Sequence, residues 1–197
     1  MKVKNHMSPD PVTVEPQASV DQALALMREH GIRHLPVLEQ GRVVGLVTDN
    51  ELRSAWFPSL LSDLTVKDLM APSPPTVDME DTIYQAARLL HNQRLTGLLV
   101  MDQGRLAGII TLSDVLGVLV ELLGLLSDSS RLDVALAPGP NGLEEVHALI
   151  RDHGGEVISV ALLSSAANRR IYSFRLEKMD LAPVREALDA AGHQVLE

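Results

Sequence analysis

The stretch Gly45-Leu46-Val47-Thr48-Asp49-Asn50-Glu51 returns as Gly108-Ile109-Ile110-Thr111-Leu112-Ser113-Asp114, and 111 minus 48 is 63. Without a gap, the same offset pairs Val3-Lys4 with Val66-Lys67, Met7 with Met70, Pro9 with Pro72 and Pro11 with Pro74. It continues through Thr13-Val14 and Thr76-Val77, Gln22-Ala23 and Gln85-Ala86, and Gln40-Gly41-Arg42 and Gln103-Gly104-Arg105. So many residue types in register mark a duplicated unit. Its period exceeds the roughly 20–50 residues of solenoid repeats, and two copies point to a paired module rather than an array. A tandem duplication sets two related surfaces face to face, which is a natural way to build a ligand cleft.

Each copy reads the same way. In the first, prolines at 9, 11 and 16 bracket a short extended segment, Val12-Thr13-Val14. Ser19 caps a helix with Val20, Ala23, Leu24 and Met27 at helical spacing, stopped by Gly31. Strands over 34–38 and 42–47 follow, joined by a Gln40-Gly41 turn. Thr48-Asp49-Asn50-Glu51 opens a second helix as a T-x-x-E capping box, and Trp56, Phe57 and Pro58 end it. In the second copy a strand at Thr76-Val77 precedes a helix capped by Asp81 or Thr82 and running to about Arg94. Strands over 97–101 and 105–110 and the Thr111-Leu112-Ser113-Asp114 cap complete it.

This order, with h-P-V on one strand and G-x-h-T-x-x-D after the next, resembles a tandem pair of CBS domains, the Bateman module. The resemblance implies two β-α-β-β-α units packed about a pseudo-twofold axis, with adenosine-containing ligands in the two clefts between them. It implies one cleft built from Thr111, Ser113 and Asp114 together with Val12, Arg33, His34, Leu35 and Pro36. Arg33 and His34 stand where the family often places phosphate-binding basic residues. The other cleft would combine Thr48, Asn50 and Glu51 with Pro75, Thr96, Gly97, Leu98 and Leu99. There Glu51 replaces the usual Asp and Thr96-Gly97 the basic pair, so it is expected to be weak, to hold a ligand without phosphate, or to be empty.

The residues themselves admit two roles for T-x-x-[DE]. It is a helix cap. It also offers a short acidic side chain that can accept from both hydroxyls of a ribose, beside a Thr hydroxyl and helix-start N–H groups that can meet a phosphate. Arg33-His34 likewise fits either a phosphate contact or a solvated strand end.

After a polar linker over 127–130 the pattern changes. A strand over 132–136, a Pro-Gly loop over 137–142, a helix marked by Leu143, Val146, Leu149 and Ile150, a hairpin of strands over 156–163 and 169–176, a helix with Leu181, Val184 and Leu188, and a last strand over 193–196 follow. This β-α-β-β-α-β order is the ferredoxin-like arrangement. With Gly154-Gly155 ahead of its second strand it resembles an ACT domain, a family that binds amino acids and similar effectors. Asn141 and Gly142 would then present an amide and a bare backbone to an amino-acid carboxylate, or the fold would serve assembly alone. The overall fold class is α/β (α+β), with a first copy at 1–64, a second copy and linker helix at 65–130, and an ACT-like domain at 131–197. The order CBS, CBS, ACT resembles the acetoin-utilisation AcuB-like proteins.

Bulk properties exclude several classes. At 197 residues, 46% hydrophobic and 22% charged, the chain is globular, and with 3% aromatics its core must be aliphatic. The net charge of −9 argues against nucleic acid. Absence of cysteine removes thiol chemistry and fits the cytoplasm. No apolar run follows the N-terminus, so no signal peptide is expected. The segment Val115 to Leu126 is too short to cross a membrane and reads as a linker helix, core and dimer contact. The seven histidines are read as no metal site, and no P-loop, G-x-S-x-G or dinucleotide fingerprint occurs. The expectation is a non-enzymatic, homodimeric sensor of AMP, ADP or ATP. Two others stay open: a small nucleotide-processing enzyme with Asp114 or His34 as acid–base groups, and a structural adaptor without ligand.

Overall fold

A computed structural model describes residues 1–54, 64–126, 128–166 and 169–196. The helix end expected at Trp56, Phe57 and Pro58 lies outside the described residues. The chain divides into two compact units, Met1–Leu116 and Gly117–Glu197, so the division falls inside a helix.

In the first unit, β1 (Ser8–Pro9), α1 (Val20–His30), β2 (His34–Glu39), β3 (Arg42–Thr48) and α2 (Asp49–Ser54) form the first copy, and α3 (Val66–Leu69), β4 (Ala71–Pro72), β5 (Thr76–Asp78), α4 (Ile83–Gln93), β6 (Gly97–Asp102), β7 (Arg105–Thr111) and α5 (Leu112–Leu122) the second. The α1 cap is a full box, with the Ser19 hydroxyl accepting from Gln22 N at 3.1 Å and the Gln22 amide accepting from Ser19 N at 2.9 Å. Thr82, not Asp81, caps α4 in the same way. Both hairpins turn on two residues at positive φ, Gln40-Gly41 and Gln103-Gly104, as a type I′ turn requires.

The sequence does not announce how the copies exchange their first strands. β1 leaves its own copy and pairs with β7, Pro9 opposite Gly108, while β4 crosses back to pair with β3, Pro72 opposite Gly45. The backbone bonds repeat at the 63-residue offset: Val3 N donates to Asp81 O and Val66 N to Ala18 O, Lys4 N to Met79 O and Lys67 N to Pro16 O. Glycine at 45 and 108 leaves room for this crossing. A Cβ at Gly108 would lie 2.7 Å from the Ser8 carbonyl oxygen, and one at Gly45 would overlap the Met70 thioether.

Two further differences from expectation follow from local bonding. Val12-Thr13-Val14 is not a full strand: only Val14 bridges to β2, donating to Pro36 O and accepting from Leu38 N. Short helical turns at Val3–Asn5 and Val66–Leu69, unexpected from the pattern, precede the exchanged strands.

The sheets run β1-β7-β6-β5 and β2-β3-β4. The first copy's core holds Leu24, Met27, Leu35, Val37, Val47 and Leu52, completed by Val66 from the second copy. Leu46, Leu99 and Ile109 form a separate cluster, with Val43 and Leu106 against it. Because 46 and 109, and 43 and 106, are equivalent positions, this cluster is where the copies pack on one another. Fully burying each such side chain is worth about 1.5–3 kcal/mol.

In the second unit, β8 (Ser129–Ala135), α6 (Gly142–Asp152), β9 (Val157–Ala166), β10 (Arg169–Glu177), α7 (Ala182–Ala190) and β11 (Gln194–Leu196) form one antiparallel sheet in the order β11-β8-β10-β9. Its core is Leu132, Val134, Val146, Ile150, Phe174, Leu176, Val184 and Leu188. β8 begins at Ser129, because Ser129 and Ser130 pair with Glu177 and Leu176, so the expected polar linker is partly strand. α5 ends at Leu122 and the chain turns through 123–126, short of the expected helix end.

Candidate functional site

Each β-hairpin of the first unit delivers a threonine to the start of a helix. In the first copy Thr48 N and Oγ1 donate to Glu51 Oε2 at 2.7 and 2.8 Å, and Glu51 N donates to Thr48 Oγ1 at 3.4 Å. In the second, Thr111 N and Oγ1 donate to Asp114 Oδ2, both at 2.7 Å, and Asp114 N donates to Thr111 Oγ1 at 3.3 Å. The capping role is therefore present, and the extra methylene of Glu51 does not prevent it. Each cap uses one carboxylate oxygen, so a ligand hydroxyl would take the other or compete for the capped one. Thr48, Glu51, Thr111 and Asp114 are half-buried, and Asn50 and Ser113 stand exposed beside them.

Register sets the opposite wall. His34 lies across from Thr48 and Gly97 across from Thr111. Asp49 N donates to Arg33 O and Leu112 N to Thr96 O, both at 3.0 Å, so these edges are tied to the helix starts. The equivalent edges then meet: His34 Nε2 lies 2.8 Å from Thr96 Oγ1, and a Cβ on Gly97 would come within 3.1 Å of the imidazole. The resemblance assigned His34 to the Asp114 cleft and Thr96 to the Glu51 cleft; the structure brings the two into one hydrogen bond. Arg33 is exposed. Leu35, Pro36, Gly97, Leu98 and Leu99 are buried in β2 and β6, while Val12 and Pro75 are half-buried, Val12 against the first copy's core.

The imidazole carries the electrostatics of this place. Burial pushes the His34 pKa below its ordinary value, Glu51 and Asp114 pull it up, and Arg33 pushes it down. Both acidic caps are thus electrically coupled to one ring.

In the second unit Asn141 is exposed ahead of α6 without capping it through its side chain, and Gly142 is buried against Leu136. Two residues missed in the sequence reading hold this loop. Buried His193 accepts from Ala137 N through Nδ1 at 3.0 Å, and Arg170 donates to Gly139 O at 3.3 Å. Because Nδ1 accepts, the ring proton sits on Nε2. That atom lies 3.5 Å from Glu145 Oε2, longer than an ordinary N–H···O bond, and has no hydrogen-bond partner among the described residues. Only the strand order could have hinted at this, since β11 lies beside β8.

Among the described residues no group of His, Cys, Asp and Glu is placed to hold a metal, and no helix is long and apolar enough to cross a membrane.

Comparison with known proteins agrees with the architecture of the first unit. The chain is 40% identical over 107 residues to inosine-5'-monophosphate dehydrogenase of Korarchaeum cryptofilum, covering 54% of this chain and 22% of that enzyme. It therefore spans about a fifth of the length of such relatives. It is 31% identical over 134 residues to a CBS domain-containing protein of Dictyostelium discoideum, covering 61% of this chain and 92% of that one. Among solved structures, it resembles the Arabidopsis thaliana CBS-pair protein CBSX2 in complex with AMP, at 34% identity and a TM-score of 0.55, covering 61% of this chain and 96% of that one. It also resembles a Vibrio cholerae protein ascribed to acetoin utilization (AcuB), at 26% identity and a TM-score of 0.58, covering 64% and 96%. The family model of the CBS domain matches residues 3–57 and 66–121. Two matches 63 residues apart coincide with the two hairpin–cap units described above, and the chain belongs to the CBS-domain family as a tandem pair.

Proposed function

We propose that this chain is a non-enzymatic, cytoplasmic regulatory protein that binds an adenine nucleotide, AMP, ADP or ATP, between its two CBS copies. The observation that carries the reading is the pair of acidic caps, Glu51 and Asp114, set around the His34–Thr96 contact where the copies meet. The AMP complex of CBSX2 supports the ligand class. The Asp114 cleft is the stronger, with Thr111, Ser113 and Asp114 on the ribose side and Val12, Arg33, His34 and Pro36 opposite. The Glu51 cleft, with Thr48, Asn50, Pro75, Thr96 and Leu99, is the weaker. A ligand held between two pseudo-symmetric copies favours one relative orientation, and its differential affinity for that orientation sets the signal.

The second unit belongs to this reading as an ACT-like, ferredoxin-like domain with an amino-acid site at Asn141 and Gly142. Homodimerisation would cover the stripe Leu112, Leu116, Leu119 and Leu123 on α5 and the turn after it, each at least 37% exposed. Mass spectrometry of small molecules released from the native protein, followed by titration with ATP, AMP and S-adenosylmethionine, tests the proposal. Saturable binding with unchanged ligand is expected. Turnover would move the chain to the enzymes. A thermal-shift assay flat to every nucleotide and amino acid would leave an adaptor.

A further inference from the structure

β9 closes the sheet of the second unit on one side and, among the described residues, pairs only with β10. At ten residues, Val157–Ala166, it is the longest unpaired sheet edge among them, and it holds neither a charge nor a proline. Charges and prolines are what commonly blunt an edge strand, because open N–H and C=O groups recruit another strand. This edge is also apolar: Ile158 and Val160 are each 41% exposed, Leu162 and Leu163 each 52%. Register sets Val160 opposite Phe174 and Leu162 opposite Tyr172, so both project on the helix-bearing face and yet stay uncovered. The Ser159 hydroxyl donates to Leu123 O at 3.0 Å, which seats the turn after α5 beside the strand and adds exposed Leu125 and Leu126. An apolar edge of this extent marks a binding surface. We propose that β9 is an interface between two copies of this chain: the strands pair antiparallel about a twofold axis at Ala161 and join the two four-stranded sheets into one.

Edge length and charge choose the occupant. The other edge of the sheet, β11, offers three residues, too few to cover β9 in a head-to-tail array. Another β9 matches it residue for residue. The chain carries −9, so two copies repel except where they meet on neutral surface, and β9 supplies that. Direction follows from Glu156, exposed just ahead of the strand. Parallel pairing would set two carboxylates side by side; antiparallel pairing sends them to opposite ends. The pleat then fixes the register, since residues opposite one another share a face. β9 is regular over 159–162, between bulges at Ile158 and Leu163. An axis through Ala161 sets Val160 against Leu162 of the other copy, twice, on the helix-bearing face. It also keeps the smallest side chain of that stretch at the point of closest approach. The contact uses only residues of the second unit, so it stands or falls apart from the nucleotide reading.

The chain has no cysteine, so introduced thiols report this contact by themselves. Residues facing each other across the axis have Cα atoms roughly 4.5–5.5 Å apart, a span that a disulfide bridges. The whole chain with Ala161→Cys, treated with diamide as a mild oxidant, should convert largely to a covalent dimer on a non-reducing gel. Ser165→Cys, whose two copies would lie roughly 26 Å apart, should stay uncrosslinked. Adding Leu162→Lys to Ala161→Cys should abolish the crosslink while leaving the circular dichroism spectrum unchanged, because that side chain is half exposed. The parent gives a readout without any variant: hydrogen exchange over 159–162 should slow about threefold for each tenfold rise in chain concentration, as mass action sets for a monomer–dimer pair. No crosslink in an Ala161→Cys chain that sediments as a dimer overturns the proposal in favour of another surface, the α5 stripe first. A monomer whose β9 exchange ignores concentration overturns it in favour of a strand from a different protein. Equal crosslinking of Ala161→Cys and Ser165→Cys means random collision and overturns it as well.

Discussion

In the first copy the edge of β2 carries Arg33 and His34; in the second the same edge of β6 carries Thr96 and Gly97. The backbone on either side is nearly interchangeable, down to Asp49 N on Arg33 O and Leu112 N on Thr96 O at the same 3.0 Å. Main-chain bonding holds the duplicated scaffold, then, while side chains on the axis are free to diverge as complementary pairs. The bulk of one copy has grown where the other has none. Restoring symmetry should break this. In Gly97→His the new Cβ would stand 3.1 Å from the His34 ring with a second imidazole beyond it, in a buried place. We expect a loss of about 2–3 kcal/mol in denaturant unfolding, the scale of overpacking a core. The exchanged pair, His34→Gly with Gly97→His, should recover most of it. A double variant as unstable as Gly97→His alone would deny that the two positions compensate.

The two acidic caps offer the next contrast. Asp114→Ala and Glu51→Ala each remove a side chain that accepts two bonds from its threonine, so each should cost about 1 kcal/mol in stability. Binding should separate them. Losing a charge-assisted bond to a ribose is worth about 1.5–3 kcal/mol, so AMP affinity should fall at least tenfold in Asp114→Ala and little in Glu51→Ala. Equal losses in the two variants would make the clefts equivalent and dissolve the distinction drawn from Arg33 and His34.

Much of this was legible in the chain, and what was not shares one cause. Caps, turns and helix stops are local: Ser19, Gln40-Gly41 and Gly31 each act within four residues, and each appears where the pattern places it. The β-α-β-β-α-β order of the last segment was readable for the same reason. The exchanged strands were not, because Pro9 finds Gly108 and Pro72 finds Gly45 through pairings that no local period encodes. A signal did exist. Met7 and Met70 repeat at the same offset as Gly45 and Gly108, and each methionine crosses over the other copy's glycine. Of the site, the carboxylates and the Arg33-His34 edge were readable as types of residue in a repeated pattern. That His34 would meet Thr96 and Gly97 required knowing which equivalent edges face each other.

A smaller contrast lies at the end of the first helix in each copy. Gly31 closes α1 at φ 65°, and its equivalent Arg94 closes α4 at φ 55°, since 94 minus 63 is 31. A left-handed residue with a Cβ is strained by about 1 kcal/mol or more, and only glycine avoids this. Arg94→Gly should therefore stabilise the fold by about 0.5–1 kcal/mol after the added entropy of the unfolded chain, raising Tm by a few degrees. Gly31→Ala should shift it the other way, and a fall in Tm for Arg94→Gly would mean the arginine has a role beyond its backbone.

The smallest effect concerns how the first residues are tied down. Lys2 and Lys4 both pair with Glu80 on the second copy, Lys4 at 2.6 Å. At the equivalent joint the counterparts of Lys2, Lys4 and Glu80 are Thr65, Lys67 and Gln17, so an amide stands where the receiving carboxylate would. Hydrogen bonds from Lys2 and then Lys4 hold the Glu80 carboxyl at about 2, below its ordinary 4.5. The depressed value means that its contribution is whole above about pH 4.5 and is lost as pH falls toward 2. All three side chains are well exposed, so the pairs are screened and their worth is small. Hydrogen exchange at Val3 N and Lys4 N, which donate to Asp81 O and Met79 O, should quicken over that acid window beyond the intrinsic pH trend. The equivalent amides of Val66 and Lys67 should not follow, and Glu80→Gln or added salt should erase the difference. If Val66 and Lys67 opened in step with Val3 and Lys4, the ion pairs would not be what distinguishes the two joints.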